Sequence, residues 1–228
     1  MIEVRTLATV RHEVYAVDDI PLLNVLSRTF LTVFCSKYVI TPTPSDASLE
    51  AQLSFANGVY ATPEGAVQID NINIDQRKVT VRCQAPTSVT SALHAQVMQD
   101  IYAAGLPGRA PMKKISCIDE TTAVVRLPFE FSQIMNTGSA RKVFDVVSKS
   151  YDKAGALILP SSIRFKIKQL EVDTELTKNN VSVPDMFITI EQREPSDPAD
   201  CLYYTVSPLD SDAHFRMLES IVESLSGK

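Results

Sequence analysis

Apolar and polar residues alternate along much of this chain, and in a few stretches the alternation gives way to helical spacing. From residue 2 to 16 the β-formers Val4, Thr6, Val10, Val14 and Tyr15 predict one long strand or two short ones. Asp18 or Asp19 can cap a helix and Pro21 suits its first turn; Leu22, Leu23, Leu26, Phe30 and Val33 or Phe34 then form its apolar stripe. The run Thr41-Pro42-Thr43-Pro44-Ser45-Asp46 cannot continue a helix and reads as a surface loop. Leu53 and Phe55 alternate with polar neighbours, Asn57-Gly58 marks a tight turn or a bulge, and Thr62-Pro63-Glu64-Gly65 marks a second turn. Val67 and Ile69 are out of phase with Ile72 and Ile74, which predicts a bulge near Asp70-Asn71. After a turn at residues 75–78 comes the strand 79–83. Thr87 or Ser88 then caps a helix with the stripe Leu93, Val97 and Ile101.

Two Gly and two Pro within residues 105–111 make the strongest break in the chain. Beyond it, strands are expected at 114–117 and 121–131. Asn136 or Thr137 caps a helix with the stripe Ala140, Val143, Phe144 and Val147. Ile163, Phe165 and Ile167 alternate with Arg164, Lys166 and Lys168, and Met186, Ile188 and Ile190 alternate next. A Pro-bearing loop at 194–200 leads to a strand at 202–206. Pro208 and Asp210 open a last helix with the stripe Phe215, Leu218, Ile221 or Val222, and Leu225.

The segment Arg28–Tyr38 is loosely echoed by Arg141–Tyr151, where Arg, Val and Tyr recur at the same offsets. Ser91-Ala92-Leu93-His94 is echoed by Asp212-Ala213-His214-Phe215. Hairpins dominate, and strands do not alternate regularly with helices. The expected fold is α+β, with two similar lobes that suggest internal duplication. Each lobe is an antiparallel sheet with helices on one face, and the lobes span residues 1–110 and 111–228.

Composition narrows the function more than it identifies one. With 228 residues and 45% apolar content, the chain can bury a core without disulfides or metals. Seven Gly residues disfavour glycine-rich nucleotide loops. Cys35, Cys83, Cys117 and Cys201 are widely spaced and read as buried, inert thiols in a reducing compartment. The most apolar stretch, Leu22 to Ile40, includes Asn24, Arg28 and Lys37. That argues against a membrane span, and a cytoplasmic location is the default.

Candidate chemistry is sparse. There is no GxSxG, HExxH, GxxxxGK[ST] or GxGxxG motif, so no catalytic residue, metal ligand or cofactor is assigned. His12, His94 and His214 have no metal-ligand spacing. His94 and His214 hold similar places in two helices and are expected to be partly exposed.

The net charge of −5 hides a strong asymmetry: residues 111–169 carry 10 basic and 5 acidic side chains, and residues 170–228 carry 4 and 12. Arg164, Lys166 and Lys168 share one strand face, and Arg141, Lys142 and Lys149 lie on the helix before it. These six residues are the candidate binding surface, weighed against an edge strand that Lys guards from aggregation. Their expected partner is a protein, first of all another copy of the chain. Nucleic acid is disfavoured by the acidic balance. The expected function is non-enzymatic assembly through protein contacts. The alternative is a module holding a small molecule or anion between sheet and helices, and an enzyme with a dispersed site ranks last.

Overall fold

In chain order the elements are β1 (Glu3–Tyr15), α1 (Arg28–Tyr38), β2 (Thr41–Thr43), β3 (Gln52–Thr62), β4 (Gly65–Asp75), β5 (Lys78–Cys83), α2 (Thr87–Gly105), β6 (Lys114–Arg126), α3 (Phe131–Met135), β7 (Ser162–Ile167), β8 (Met186–Gln192), β9 (Leu202–Ser207) and α4 (Ser211–Leu225). The structure is a computed structural model. It describes residues 2–15, 20, 27–43, 52–105, 112–135, 141–142, 146–147, 161–167, 186–193 and 200–225.

One antiparallel sheet of nine strands runs through the described residues in the order β2-β3-β4-β5-β1-β6-β9-β8-β7. The long N-terminal alternation makes a single strand, β1, paired with β5 on one side and β6 on the other. The fold is therefore α+β, with the central β1–β6 pair joining the two halves of the chain.

The register defines two faces. Thr9, Arg11 and Glu13 of β1 lie beside Cys83, Val81 and Val79 of β5, and beside Thr121, Asp119 and Cys117 of β6. Helices α1 to α4 pack on this face. Phe34 of α1 meets Phe55, Thr90 of α2 meets Thr9 and Cys83, Phe131 of α3 stacks near Tyr203, and His214 of α4 meets Thr205 and Ser207. The apolar burial splits in two. One cluster sits under α1 and α2, around Phe34, Phe55, Ile72 and Leu93. The other sits under α3 and α4, around Val125, Leu127, Tyr203 and Leu218, and draws in Leu7 of β1 and Ile2 just before it.

Local chemistry explains the joints. Asp75 accepts from the backbone N–H groups of Arg77 and Lys78 at 2.7 and 2.6 Å, which turns β4 into β5. The predicted bulge falls between Ile69 and Asn71. Asp210 caps α4 by accepting from the Ala213 N–H at 2.8 Å. Thr87 and Ser211, the first residues of the two long helices, cap each other. The Thr87 N–H donates to Ser211 Oγ at 3.2 Å, and the Ser211 N–H donates to Thr87 Oγ1 at 2.9 Å.

Several expectations are corrected. Of the tight turn or bulge expected at Asn57-Gly58, the tight turn is overturned: both residues lie within β3, with Asn57 at φ 57°. A Cβ on Gly58 would come within 2.9 Å of the Tyr38 carbonyl oxygen, so the glycine admits the end of α1. Residues 114–126 are one strand rather than two, because β1 pairs with their whole length, and 131 begins a short helix instead of ending a strand. The first described helix is capped at Ser27, whose Oγ accepts from the Phe30 N–H at 3.3 Å. The earlier stripe positions Leu22, Leu23 and Leu26 lie outside the described residues, as does the 106–111 part of the linker.

Candidate functional site

Four of the six predicted binding residues fall within the described residues. Arg141 and Lys142 are helical and exposed; Arg164 and Lys166 are exposed on β7; Lys149 and Lys168 lie outside. β7 is the outermost described strand at its end of the sheet, paired with β8 alone. Lys166 stands directly opposite Phe187, and Arg164 opposite Thr189. The Arg164 guanidinium carbon lies 3.7 Å from the centre of the Phe187 ring, and the Lys166 ammonium lies 6.0 Å from it. A cation over an aromatic face gains about 0.5–1 kcal/mol at an exposed site, and stacking also restricts a long side chain. On the other face of β7, Phe165 is 57% exposed. The strand thus offers cations on one side and an aromatic ring on the other.

The acidic counterpart is α4. Asp212, Glu219 and Glu223 are exposed along one stripe with Arg216, opposite the buried Ser211, His214 and Leu218. Exposed Asp210 lies just before the helix, and exposed Asp200 just before β9.

A second polar assembly escaped the sequence reading. Glu13 is buried on the helix-bearing face, and its carboxylate accepts from the Tyr15 hydroxyl at 2.7 Å, Arg11 Nε at 3.0 Å and Lys114 Nζ at 3.3 Å. Arg11 continues to Ser91 of α2, and it lies 3.5 Å from Asp119. Burial alone would raise the Glu13 pKa. The Tyr15 hydrogen bond, His94, Arg11 and Lys114 overcome that and hold it at about 2. Burial pushes Asp119 up despite Arg11. The only sequence signal was charge at period 2 inside an otherwise strand-like run, Arg11-His12-Glu13.

The two helix histidines were expected to be partly exposed and are instead buried, because both point down onto the sheet. Nor are their places equivalent: His94 is seven residues into α2, counted from Thr87, and His214 is three residues into α4, counted from Ser211. His94 Nε2 lies 3.4 Å from the Val79 carbonyl oxygen, and its Nδ1 lies 3.7 Å from Glu13 Oε2. Both neighbours are acceptors, while a neutral imidazole has one N–H. His214 instead sits between hydroxyls, with Nδ1 2.7 Å from Ser207 Oγ and Nε2 3.0 Å from Thr205 Oγ1. Thr205 donates to the Ala123 carbonyl at 3.2 Å. It must therefore accept from Nε2–H, and Ser207 donates to Nδ1. Burial holds the pKa of His94 below normal and takes that of His214 to about 4.

The thiols are free. Against expectation, only Cys83 is fully buried, while Cys117 is exposed on β6. Burial is the main cause that raises the pKa of all four, so none is held as the reactive thiolate. Among the described residues, no three His, Cys, Asp or Glu side chains are placed to hold a metal ion. No described helix is long and apolar enough to cross a membrane.

A groove of about 380 Å³ opens between α1 and α2, lined by Ser27, Phe30, Val33 and Phe34, with Lys37 and Asp100 at its polar side. Lys37 donates to both Asp100 carboxylate oxygens, at 2.7 and 2.8 Å, and ties the two helices together there.

The sequence matches no protein-family model, and no curated protein is significantly similar to it.

Proposed function

We propose that this chain is a non-enzymatic assembly protein that works through protein contacts, with further copies of itself as the first partner. The observation that carries this is the composite surface of β7 and β8. Arg164 and Lys166 of β7, an outermost described strand, flank Phe187 of β8 on one face, and Phe165 is exposed on the other. Charge set out in this way repels a wrong partner and selects an acidic one. The four free cysteines favour a reducing compartment and support a cytoplasmic setting for the assembly.

The reading includes two lobes of common design, residues 1–110 and 111–228. Two matched features support it. Thr9 and Thr121 are register partners, and each donates to a carbonyl two residues before a long helix, Ala85 at 2.9 Å and Leu209 at 2.8 Å. The helices beginning at Thr87 and Ser211 cap each other.

Light scattering at low and high salt tests the function. The wild type should form a defined oligomer that loosens as salt rises, and the Arg164→Glu/Lys166→Glu variant should stay monomeric. A wild type that is monomeric under all conditions refutes the proposal.

The α1–α2 groove favours a second reading, in which the chain holds a small apolar ligand. Medium-chain fatty acids should then raise the melting temperature of the wild type, but not that of a Val33→Trp variant with the groove filled. No shift in either protein removes this reading.

A further inference from the structure

The basic strand and the acidic helix of the C-terminal half stand on opposite faces of the sheet, with exposed Glu191 the one acid that β8 places on the basic face. Arg164 and Lys166 share a face with Thr189 and Phe187, and the register carries that face on through Val206 and Tyr204 of β9. Helix α4 lies over the other face, because His214 bonds to Thr205 and Ser207. Arg164 and Lys166 therefore cannot reach the exposed stripe of Glu219 and Glu223 across their own sheet. Exposed Asp210 and Asp212, at the start of α4, add to the acidic side.

A two-fold contact pairs residue i with j and j with i within one patch, so it matches basic with acidic groups only where both lie on one side of the molecule. Here the basic strand and the acidic helix stand on opposite faces, and a two-fold contact centred on the basic face would set the Arg164 and Lys166 of two copies against each other. A contact between the basic face of one copy and the acidic helix of the next pairs unlike charges instead. Such a contact leaves one basic face and one acidic face open at every step.

We infer that the chain associates head to tail, with the Arg164–Phe187–Lys166 face of one copy on the Glu219/Glu223 stripe of the next. The product is a ring if the rotation closes and an open chain if it does not. The inference rests on the proposed self-association and names its second surface.

Charge-reversal complementation separates the two. Arg164→Glu/Lys166→Glu forms one variant and Glu219→Lys/Glu223→Lys the other. All four positions are exposed, so each variant should keep the wild-type circular dichroism spectrum. The neutral pair Arg164→Gln/Lys166→Gln and Glu219→Gln/Glu223→Gln serves as a check on either fold. Each reversed variant alone should associate more weakly, on the order of a hundredfold. A one-to-one mixture should recover the wild-type mass, because both kinds of contact are again unlike-charged. If the wild type associates and the Glu219→Lys/Glu223→Lys variant does so undiminished, or if mixing restores nothing, the head-to-tail pairing is wrong while self-association stands. A monomeric wild type overturns both.

Discussion

The two long helices cross the same face of one sheet and are anchored by different chemistry. Seven residues into α2, His94 meets Glu13, whose carboxylate also holds Arg11, Lys114 and Tyr15. Seven residues into α4, Leu218 is fully buried in an apolar cluster with Val125 and Leu127. Near the helix starts the chemistry is exchanged: three residues into α2, Thr90 meets Cys83, and three residues into α4, His214 meets Ser207. One architectural position thus accepts either a charge network or dispersion packing. The difference lies in sensitivity. Apolar packing is indifferent to protons, whereas a buried carboxylate and a buried imidazole are not.

The largest expected effect is on the apolar anchor. Leu218→Ala should cost about 4 kcal/mol, read from urea midpoints, and the loss should be the same at pH 7 and pH 4. A loss that changes strongly between those values would show that the α4 anchor is not purely apolar.

Next comes the charged anchor. Glu13→Gln should cost about 3 kcal/mol at pH 7, because Arg11 and Lys114 lose their ionic partner. The folded pKa of Glu13, about 2, lies below its unfolded value. Its contribution is therefore complete above the unfolded pKa and is lost as pH falls toward 2. The gap between wild type and variant should narrow over that range in acid denaturation curves. A constant gap would mean that the charge of Glu13 does not matter.

His214 gives a smaller effect in a different window. Its folded pKa of about 4 lies below the usual imidazole value, so the unfolded chain takes up a proton first as pH falls. Stability should drop between about pH 6.5 and 4, and His214→Asn should remove about 2 kcal/mol of that drop. His12, held near 4 by burial and Lys78, and His94, held below normal by burial, set a residual slope. An unchanged slope in the variant would place the acid sensitivity elsewhere.

The smallest effect tests whether the two helices act as a pair. Thr87→Ala and Ser211→Ala should each cost about 1 kcal/mol. Each hydroxyl accepts from the other helix's first N–H group, so the two caps share one pair of helix ends and the double variant should depart from the sum of the two. Full additivity would mean that the reciprocal caps do not couple the two halves.

Much of this molecule can be read directly along the chain. The period-2 runs became β1, β4, β5, β7, β8 and β9, the phase break at Asp70-Asn71 became a bulge, and Arg164 and Lys166 do share a face. Each of these depends on neighbours within a few residues, where backbone geometry and turn chemistry decide the outcome. The Glu13 assembly was not legible, because Glu13 and His94 meet only after β1 is placed between β5 and β6 with α2 above. For the same reason, the burial of both helix histidines and the exposure of Cys117 follow from which face the helices cover. The sequence by itself determined the elements, their joints and the charge on each segment. Only the tertiary structure decided that the basic strand and the acidic helix stand on opposite sides of one sheet, because strand order and register are agreements between distant residues that no local pattern encodes.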